Sequence, residues 1–213
     1  MNTFLIAIIL ANILFSFKGF NDMTFFRKYE FHIGSIRAGE QIRMYSSAFL
    51  HADIMHLAFN MYTLYIFSPV VFGYLGNISF LIVYIISLIS GSLLTLYFHK
   101  NDYNYRAIGA SGAVTGVLYS AILLEPGMGL YLFFIPIAIP AYIFGIGYLL
   151  YSIYGMKAQN DNIGHTAHFG GAIGGYLVTL IFVPSLLTEN TLMVFLLLIP
   201  IIILFVMEKL GKL

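Results

Sequence analysis

The stretch YRAIGASGAVTGVLYS, residues 105–120, places a serine among small residues at the point where a long apolar run begins. Small residues let transmembrane helices approach one another closely, and Gly112 and Gly116 follow Ser111 at a four-residue spacing. A chain that lies in lipid gains nothing from a hydroxyl group at this point unless the group has a function. The stretch therefore predicts a tightly packed membrane helix whose first turn carries a functional polar group.

The composition indicates a membrane protein. Of 213 residues, 60% are hydrophobic and 9% are charged, whereas soluble domains carry roughly 25% charged residues. A formal net charge of +1 without a long basic run excludes the electrostatic footprint of nucleic-acid binding. The absence of cysteine excludes disulfides, thiolate metal sites and cysteine nucleophiles.

Hydropathy predicts seven transmembrane helices, because a span needs about 20 apolar residues. The first is interpreted as a retained span, since the pattern of a cleaved signal is missing. The predicted spans are Thr3–Phe17, Met55–Phe72, Ile78–Phe98, Ser111–Leu124, Leu130–Tyr154, Thr166–Val183 and Thr191–Met207.

Two regions of the predicted bundle depart from simple helical spans. The fifth span has Pro136 and Pro140 near its start, and proline removes a helix hydrogen bond. Its first part is therefore predicted to be broken or re-entrant. The polar, aromatic segment of residues 18–50 is too long for a simple turn and is predicted to fold onto the membrane surface.

Polar residues concentrate in three segments at the starts of the even-numbered spans: HADIMHLAFN at 51–60, GASG at 109–112 and GHTAHFGG at 164–171. Polar groups inside a membrane are costly and mark functional sites. Even-numbered spans all enter from the same face, so their first turns share one depth. This puts His56, Ser111 and His168 in one layer.

Small residues also follow the histidine of the sixth span, where Gly171 and Gly175 repeat the four-residue spacing. Two such helices can bring Ser111 within 2.6–3.2 Å of His168, which a nucleophile and its base require. Glycine often serves packing alone, and a serine can simply bond a backbone carbonyl. The occurrence of three polar sites at one depth favours a catalytic role over a purely structural one.

Two polar residues of the second span are candidates for stabilising negative charge. His56 and Asn60 are four residues apart and project from one helix face. Their N–H groups can stabilise the oxyanion that forms when a carbonyl is attacked, a contribution of about 2.7–4 kcal/mol per donor.

Other catalytic and metal-binding interpretations fit the sequence less well. Ala113 stands where the elbow of soluble hydrolases needs glycine, and no H-E-x-x-H motif occurs. A zinc site is disfavoured because Asp53 is the one acid nearby to orient its ligands; its histidines would be His51, His56, His165 and His168. No metal or cofactor is expected, and no chemistry is assigned to His32, His51, His99 or His165.

The segments HADIMHLAFN, IGASGAVTG and AHFGGAIGG resemble the three signature segments of the rhomboid intramembrane serine proteases, in their order and spacing, over residues 38–176. The resemblance implies Ser111 as nucleophile and His168 as general base, a dyad without an orienting acid. It assigns the oxyanion hole to His56, Asn60 and the backbone N–H groups of Ser111 and Ala110. Helix packing is assigned to Gly109, Gly112, Gly116, Gly171 and Gly175.

The resemblance implies an all-α membrane protein with a six-helix catalytic domain at residues 1–184. Residues 185–213 are predicted to add a seventh span, interrupted by Pro200, although a membrane-surface helix also suits their length. The chain departs from the family pattern at three places. Ile42 and Arg43 replace a tryptophan-arginine pair, Thr115 replaces an aromatic residue, and Phe72 replaces a glutamate.

The resemblance implies a peptidase, embedded in the lipid bilayer, that cleaves transmembrane protein substrates in or near their transmembrane helices, where these helices unwind easily near the membrane surface. A rhomboid-like protein that binds membrane helices without cleaving them is the alternative. Midplane polar residues would suggest a transporter, but here they cluster at one end of the spans.

The expected location is the cell inner membrane with the dyad facing the extracytoplasmic side. The positive-inside rule predicts the opposite, because all basic residues fall on the active-site face: Lys18, Arg27, Lys28, Arg37, Arg43, Lys100, Arg106, Lys157, Lys209 and Lys212.

Overall fold

The computed structural model describes residues 2–130, 138–158 and 163–213. Within these ranges the regular secondary structure is helical apart from two short strand pairs, and turns and loops connect the elements. The helices are α1 (Thr3–Asn21), α2 (Met23–Tyr29), α3 (Ile33–Arg37), α4 (Arg43–Ser46), α5 (Ile54–Leu75), α6 (Asn77–Phe98), α7 (Ser111–Leu124), α8 (Ala141–Ala158), α9 (His165–Phe182), α10 (Leu186–Glu189) and α11 (Thr191–Lys209). The strands are β1 (Phe31–His32), β2 (Arg106–Ala107), β3 (Gly129–Leu130) and β4 (Ile139–Pro140).

Seven longer helices of the described chain correspond to the seven predicted spans: α1, α5, α6, α7, α8, α9 and α11. Four of them, α1, α5, α6 and α11, are long and apolar enough to cross a membrane, and α7 is a shorter apolar helix. The prediction of an all-α, multi-pass membrane protein is confirmed.

Helix α9 lies at the centre of the bundle, packed between α6 and α7. Glycines bring these backbones into contact: a Cβ on Gly171 would overlap the carbonyl oxygen of Gly112, and one on Gly175 would overlap that of Gly116. On its other side, a Cβ on Gly170 would lie 2.6 Å from the Cα of Gly91 in α6. The distance between α7 and α9 is therefore set by main chain rather than by side chains.

The fifth span is interrupted, as its prolines predict. Strands β3 and β4 form an antiparallel pair, and α8 begins directly after Pro140. The predicted break at Pro136 lies outside the described residues. Among the described residues of this span, helix begins at Ala141.

The segment between α1 and α5 folds into α2, α3, α4 and strand β1, which pairs with β2. Its interior contains Glu30, 2% exposed, which forms ion pairs with Arg27 and Arg106. The buried Arg43 donates to the backbone carbonyls of Arg27 and Glu30 at 2.7 and 3.1 Å. These contacts fix the loop to β2, the strand that leads into residues 109–112.

The C-terminal helix α11 packs mainly against α8. Pro200 lies inside α11 and does not end it, contrary to the predicted interruption, because a membrane helix tolerates proline where its surroundings satisfy the freed carbonyl. Tyr176 of α9 donates to the carbonyl of Val194 at 3.0 Å. The division of the chain at residues 184 and 185 remains a prediction.

Candidate active site

Ser111 is the first residue of α7, and its hydroxyl lies against α9. The Oγ of Ser111 is 2.8 Å from the Nε2 of His168, which is in the first turn of α9 and 2% exposed. The two residues approach because their helices contact through the backbones of Gly112, next to Ser111, and Gly171, one turn after His168. The structure thus brings together the pair that the small-residue spacing predicts.

Two hydroxyl groups from α8 contact the other nitrogen of His168. The Ser152 Oγ lies 3.3 Å from Nδ1, and the Tyr148 hydroxyl lies 3.0 Å from Nδ1 and 3.2 Å from Nε2. Because the Tyr148 oxygen is nearly equidistant from both nitrogens, it cannot lie on the lone-pair axis of either. Ser152 is therefore the better acceptor for an Nδ1–H, which leaves the Nε2 lone pair for the Ser111 proton.

Tyr148 also supplies an aromatic ring beside the base. Its ring centroid lies 5.0 Å from that of His168, at an angle of 30°. The side chain of Thr115, at the family's aromatic position, instead donates to the carbonyl of Ser111 at 2.7 Å. An aromatic contact on His168 is thus present in this chain, but it comes from α8 rather than from α7.

His56 is oriented with its Nε2 toward the serine. Its Nδ1 accepts the backbone N–H of Ala52 at 3.4 Å, so Nε2 carries the proton and is a donor. A Cβ on Gly109 would lie 2.8 Å from the His56 Nε2 and 3.8 Å from the Ser111 Oγ. The His56 imidazole N–H and the Ser111 hydroxyl therefore flank the same point.

Asn60 lies one turn after His56 and is 7% exposed. Its side-chain nitrogen donates to the backbone carbonyl of His56 at 3.0 Å. An amide nitrogen carries two protons, so this bond leaves a second N–H for another acceptor. Asn60, His56, Ser111 and His168 all line one cavity of about 470 Å³.

The walls of this cavity come from four helices: α5, α7, α8 and α9. Its apolar lining includes Phe59 of α5, Val114 and Leu118 of α7 and Phe144 of α8. Asp53, at the start of α5, lies at its edge and caps that helix by accepting the His56 backbone N–H at 2.8 Å. The cavity thus combines an apolar wall with polar groups beside Ser111.

Gly109 and Ala110, two residues of the predicted site, lie just before α7, and the roles assigned to them stay predictions. The φ of Gly109 is 115°, which suits glycine, because a side chain there would be strained and would meet His56. The backbone N–H of Ala110 donates to the Nε2 of His51 at 3.4 Å, so it does not face the cavity. The Ser111 N–H starts α7 and has no acceptor within its own helix.

Sequence reasoning missed three residues of this site: His51, Tyr148 and Ser152. The signal for the α8 pair was their four-residue spacing, which puts both on one helix face. The histidine pairs considered for zinc are close, with ring centroids 4.8 Å apart for His51 and His56. Among the described residues, no three histidine or acidic side chains are grouped as metal ligands.

The fold and the site together define a multi-pass helical membrane protein with a serine and a histidine in hydrogen-bond contact beside a cavity. Residues 38–185 match the family model for the Rhomboid domain. The chain therefore belongs to the rhomboid family.

Several characterised or named relatives are similar over most of this chain. It is 29% identical to the mitochondrial RHOMBOID-like protein 12 of Arabidopsis thaliana, covering 76% of this chain and 52% of that protein. It is 31% identical to the mitochondrial Rhomboid protein 1 of Saccharomyces cerevisiae, over 64% of this chain and 40% of the relative. It is also 31% identical to the Bacillus subtilis protein named "Putative rhomboid protease YdcA", over 69% and 70%. This chain thus spans about half the length of the plant relative.

Proposed function

We propose that this protein is a serine endopeptidase that cleaves membrane-protein substrates in or near their transmembrane helices. The observation that carries the proposal is the 2.8 Å contact between the Ser111 Oγ and the His168 Nε2 at the wall of the cavity. Rhomboid family membership and a relative named as a rhomboid protease support it.

In the first half of the reaction, His168 takes the Ser111 proton at Nε2 while the serine oxygen bonds to the substrate's carbonyl carbon. The carbonyl oxygen becomes negative and accepts hydrogen bonds from the His56 Nε2–H, the second Asn60 amide proton and the Ser111 backbone N–H. The His168 Nε2–H then protonates the leaving amine as the peptide bond breaks. Ser111 is left as an ester with the N-terminal part of the substrate.

In the second half, water attacks that ester and gives its proton to the His168 Nε2, which returns it to the Ser111 oxygen. Loop residues, among them Asp53 and Gly164, also line the cavity, and we expect water to enter from that side. Carbonyls in a helix are already hydrogen-bonded, so substrates whose helices unwind easily, through glycine for example, fit best.

Labelling by a fluorophosphonate probe in native membranes tests the activated serine. Ser111→Ala and His168→Ala should each lower labelling by at least about 10⁴-fold. Ser120→Ala is the matched control, since Ser120 is on the same helix and buried away from the cavity. An unlabelled parent protein, beside a labelled active relative, would favour the non-catalytic, helix-binding alternative.

The membrane orientation is the second part of the proposal: the active-site face lies outside the cytoplasm, in the inner membrane of the cell. Support comes from the resemblance to bacterial rhomboids, and a long folded loop weakens charge counting. Cysteine can be introduced singly because the chain has none. We expect Asn101→Cys, exposed on the active-site face, to react with an impermeant thiol reagent on intact cells. Ser185→Cys, exposed on the opposite face, should not; the reverse pattern would place the dyad in the cytoplasm.

A further inference from the structure

His51 is a buried titratable residue that the proposed reaction does not use. It lies in the turn between residues 47–49 and α5, and its side chain is fully buried. Its Nδ1 is 2.9 Å from the Oγ of Ser16 in α1. Its Nε2 is 3.4 Å from the backbone nitrogen of Ala110, the residue before the nucleophile.

The direction of each hydrogen bond through His51 follows from the chemistry of its partners. A backbone N–H can only donate, so the Nε2 of His51 is the acceptor for Ala110. A neutral imidazole then carries its proton on Nδ1 and donates it to the Ser16 Oγ. The Ser16 hydroxyl donates in turn to the carbonyl of Phe49 at 3.0 Å. Every donor in this series meets an acceptor.

The environment keeps the His51 ring neutral, as this arrangement requires. Burial, helped by the neighbouring His56 and opposed by Asp53, lowers the pKa of His51 to about 3. The His56 ring lies edge-on at 4.8 Å. At neutral pH, His51 can therefore accept the Ala110 N–H without competition from a second proton.

The segment that holds the nucleophile depends on few contacts. Ala110 precedes α7 without a polar side chain to cap that helix. The backbone N–H of Gly109 donates to the carbonyl of Ser47 at 3.0 Å, and the N–H of Ala110 donates to His51. Both acceptors belong to the loop before α5, so this loop sets where α7 begins.

We propose that His51 is a positioning residue for Ser111: held by Ser16 of α1, its ring fixes Ala110 so that the nucleophile meets His168. The inference rests on the proposed function. It assigns no direct contact with substrate to His51. It predicts that loss of the Ala110 bond slows the chemical step, whereas loss of the Ser16 bond has a smaller effect.

Two amide substitutions test the two hydrogen bonds of His51 separately. In His51→Asn the amide occupies the Nδ1 position and keeps the contact with Ser16, whereas in His51→Gln it reaches the Nε2 position and keeps an acceptor for Ala110. We expect His51→Asn to lower kcat about 10-fold with KM within about two-fold of the parent value. His51→Gln should recover at least about half of the parent kcat.

The rate constant for fluorophosphonate labelling of Ser111 is measured in parallel, because it needs no substrate. The matched control is His32→Asn, since the His32 Nδ1 also contacts a serine hydroxyl, that of Ser35, at 2.9 Å, but away from the cavity. If labelling is slower in His51→Asn alone and the thermal midpoint of this variant is unchanged, the result supports the proposal that His51 positions Ser111. Equal labelling of all three variants and the parent would overturn it, while the proposed function would stand. An unlabelled parent would overturn both.

A purely structural role would lower labelling in both His51 variants in step with their thermal midpoints, and that result also overturns the inference. If His51→Asn does not fold, Ser16→Ala and Ser16→Thr decide the question, because threonine keeps the hydroxyl. We expect Ser16→Ala to label about three-fold more slowly and Ser16→Thr to label faster than Ser16→Ala. Parent-like labelling of Ser16→Ala would contradict the proposal.

Discussion

Two regions beside Ser111 differ in packing. The interface between α7 and α9 is closed, whereas the space between α5 and α8 is open. At the first, glycines bring main chain against main chain, and no room remains for a methyl group on Gly171. At the second, Phe59 and Phe144 face a cavity of about 470 Å³. Two catalytic groups need a fixed distance, whereas a substrate needs space. The difference shows that rigidity and access are assigned to different helix pairs.

The largest effect is expected from adding one carbon to the closed interface between α7 and α9. In Gly171→Ala, the new Cβ overlaps the Gly112 carbonyl oxygen, so α7 and α9 must separate. Misplacement by about 1 Å can cost 100-fold in rate, and we expect at least about that loss in kcat. Gly147→Ala is the control, because a Cβ on Gly147 of α8 has no neighbour within 4 Å. Peptidase assays of both purified variants test this; equal activities would show that the glycine contact does not set the dyad.

Asn60→Ala tests the open side of the site, where Asn60 lines the cavity. It should lower kcat by about 100-fold, less than loss of either dyad residue, because one oxyanion donor is removed. Thr63→Ala, on the same helix and cavity wall, serves as a comparison, since the Thr63 hydroxyl already donates to the Phe59 carbonyl at 2.8 Å. Steady-state kinetics on one substrate distinguishes kcat from KM. An unchanged kcat in Asn60→Ala would remove the residue from the oxyanion hole.

A smaller effect is expected where α8 contacts the base. Ser152→Ala removes the acceptor for the His168 Nδ1–H, and we expect kcat to fall about 10-fold, as for other groups that orient a base. Ser152→Thr keeps the hydroxyl and should retain more activity than Ser152→Ala. The two variants are compared by kcat and by thermal midpoint. If both lose the same activity, packing rather than the hydroxyl explains the loss.

The loop that carries His51 should make the fold sensitive to acid. The pKa of His51 in the folded protein is about 3, below its ordinary value of 6.5, mainly because of burial. Between these values the unfolded chain binds a proton that the folded chain does not, so stability falls as pH decreases below about 6.5. The slope from one histidine is about 1.4 kcal/mol per pH unit. Burial also lowers the pKa of His99, with Asp102 opposing.

Thermal midpoints of the parent and His51→Gln, measured between pH 7 and pH 4, test this expectation. The parent midpoint should fall more steeply than that of His51→Gln, since the variant lacks the titrating ring. Parallel curves would show that groups other than His51, such as His99, dominate the acid sensitivity.

Much of this architecture is readable from the sequence, since apolar length gives the seven helices and the four-residue glycine spacing gives the faces of α7 and α9. The contact between Ser111 and His168 follows from those faces and from a shared depth. Periodicity does not give the rotation of one helix against another, so the approach of Tyr148 and Ser152 to His168 could not be predicted. No chemistry is assigned to His51 from the sequence, because its spacing does not show that the fold buries it completely.

The hydrogen bonds through His51 also bear on the order in which the protein is made. They join Ser16 in the first helix to Ala110 at the start of α7, and the base on α9 is synthesised later still. When Ser111 has just been synthesised, His168 is not yet in the chain, so the Ser111 side chain is an ordinary alcohol. Under the proposed function, Ser111 becomes reactive only when nearly all of the helices have been inserted and assembled, so we expect an unfinished copy not to cleave its neighbours.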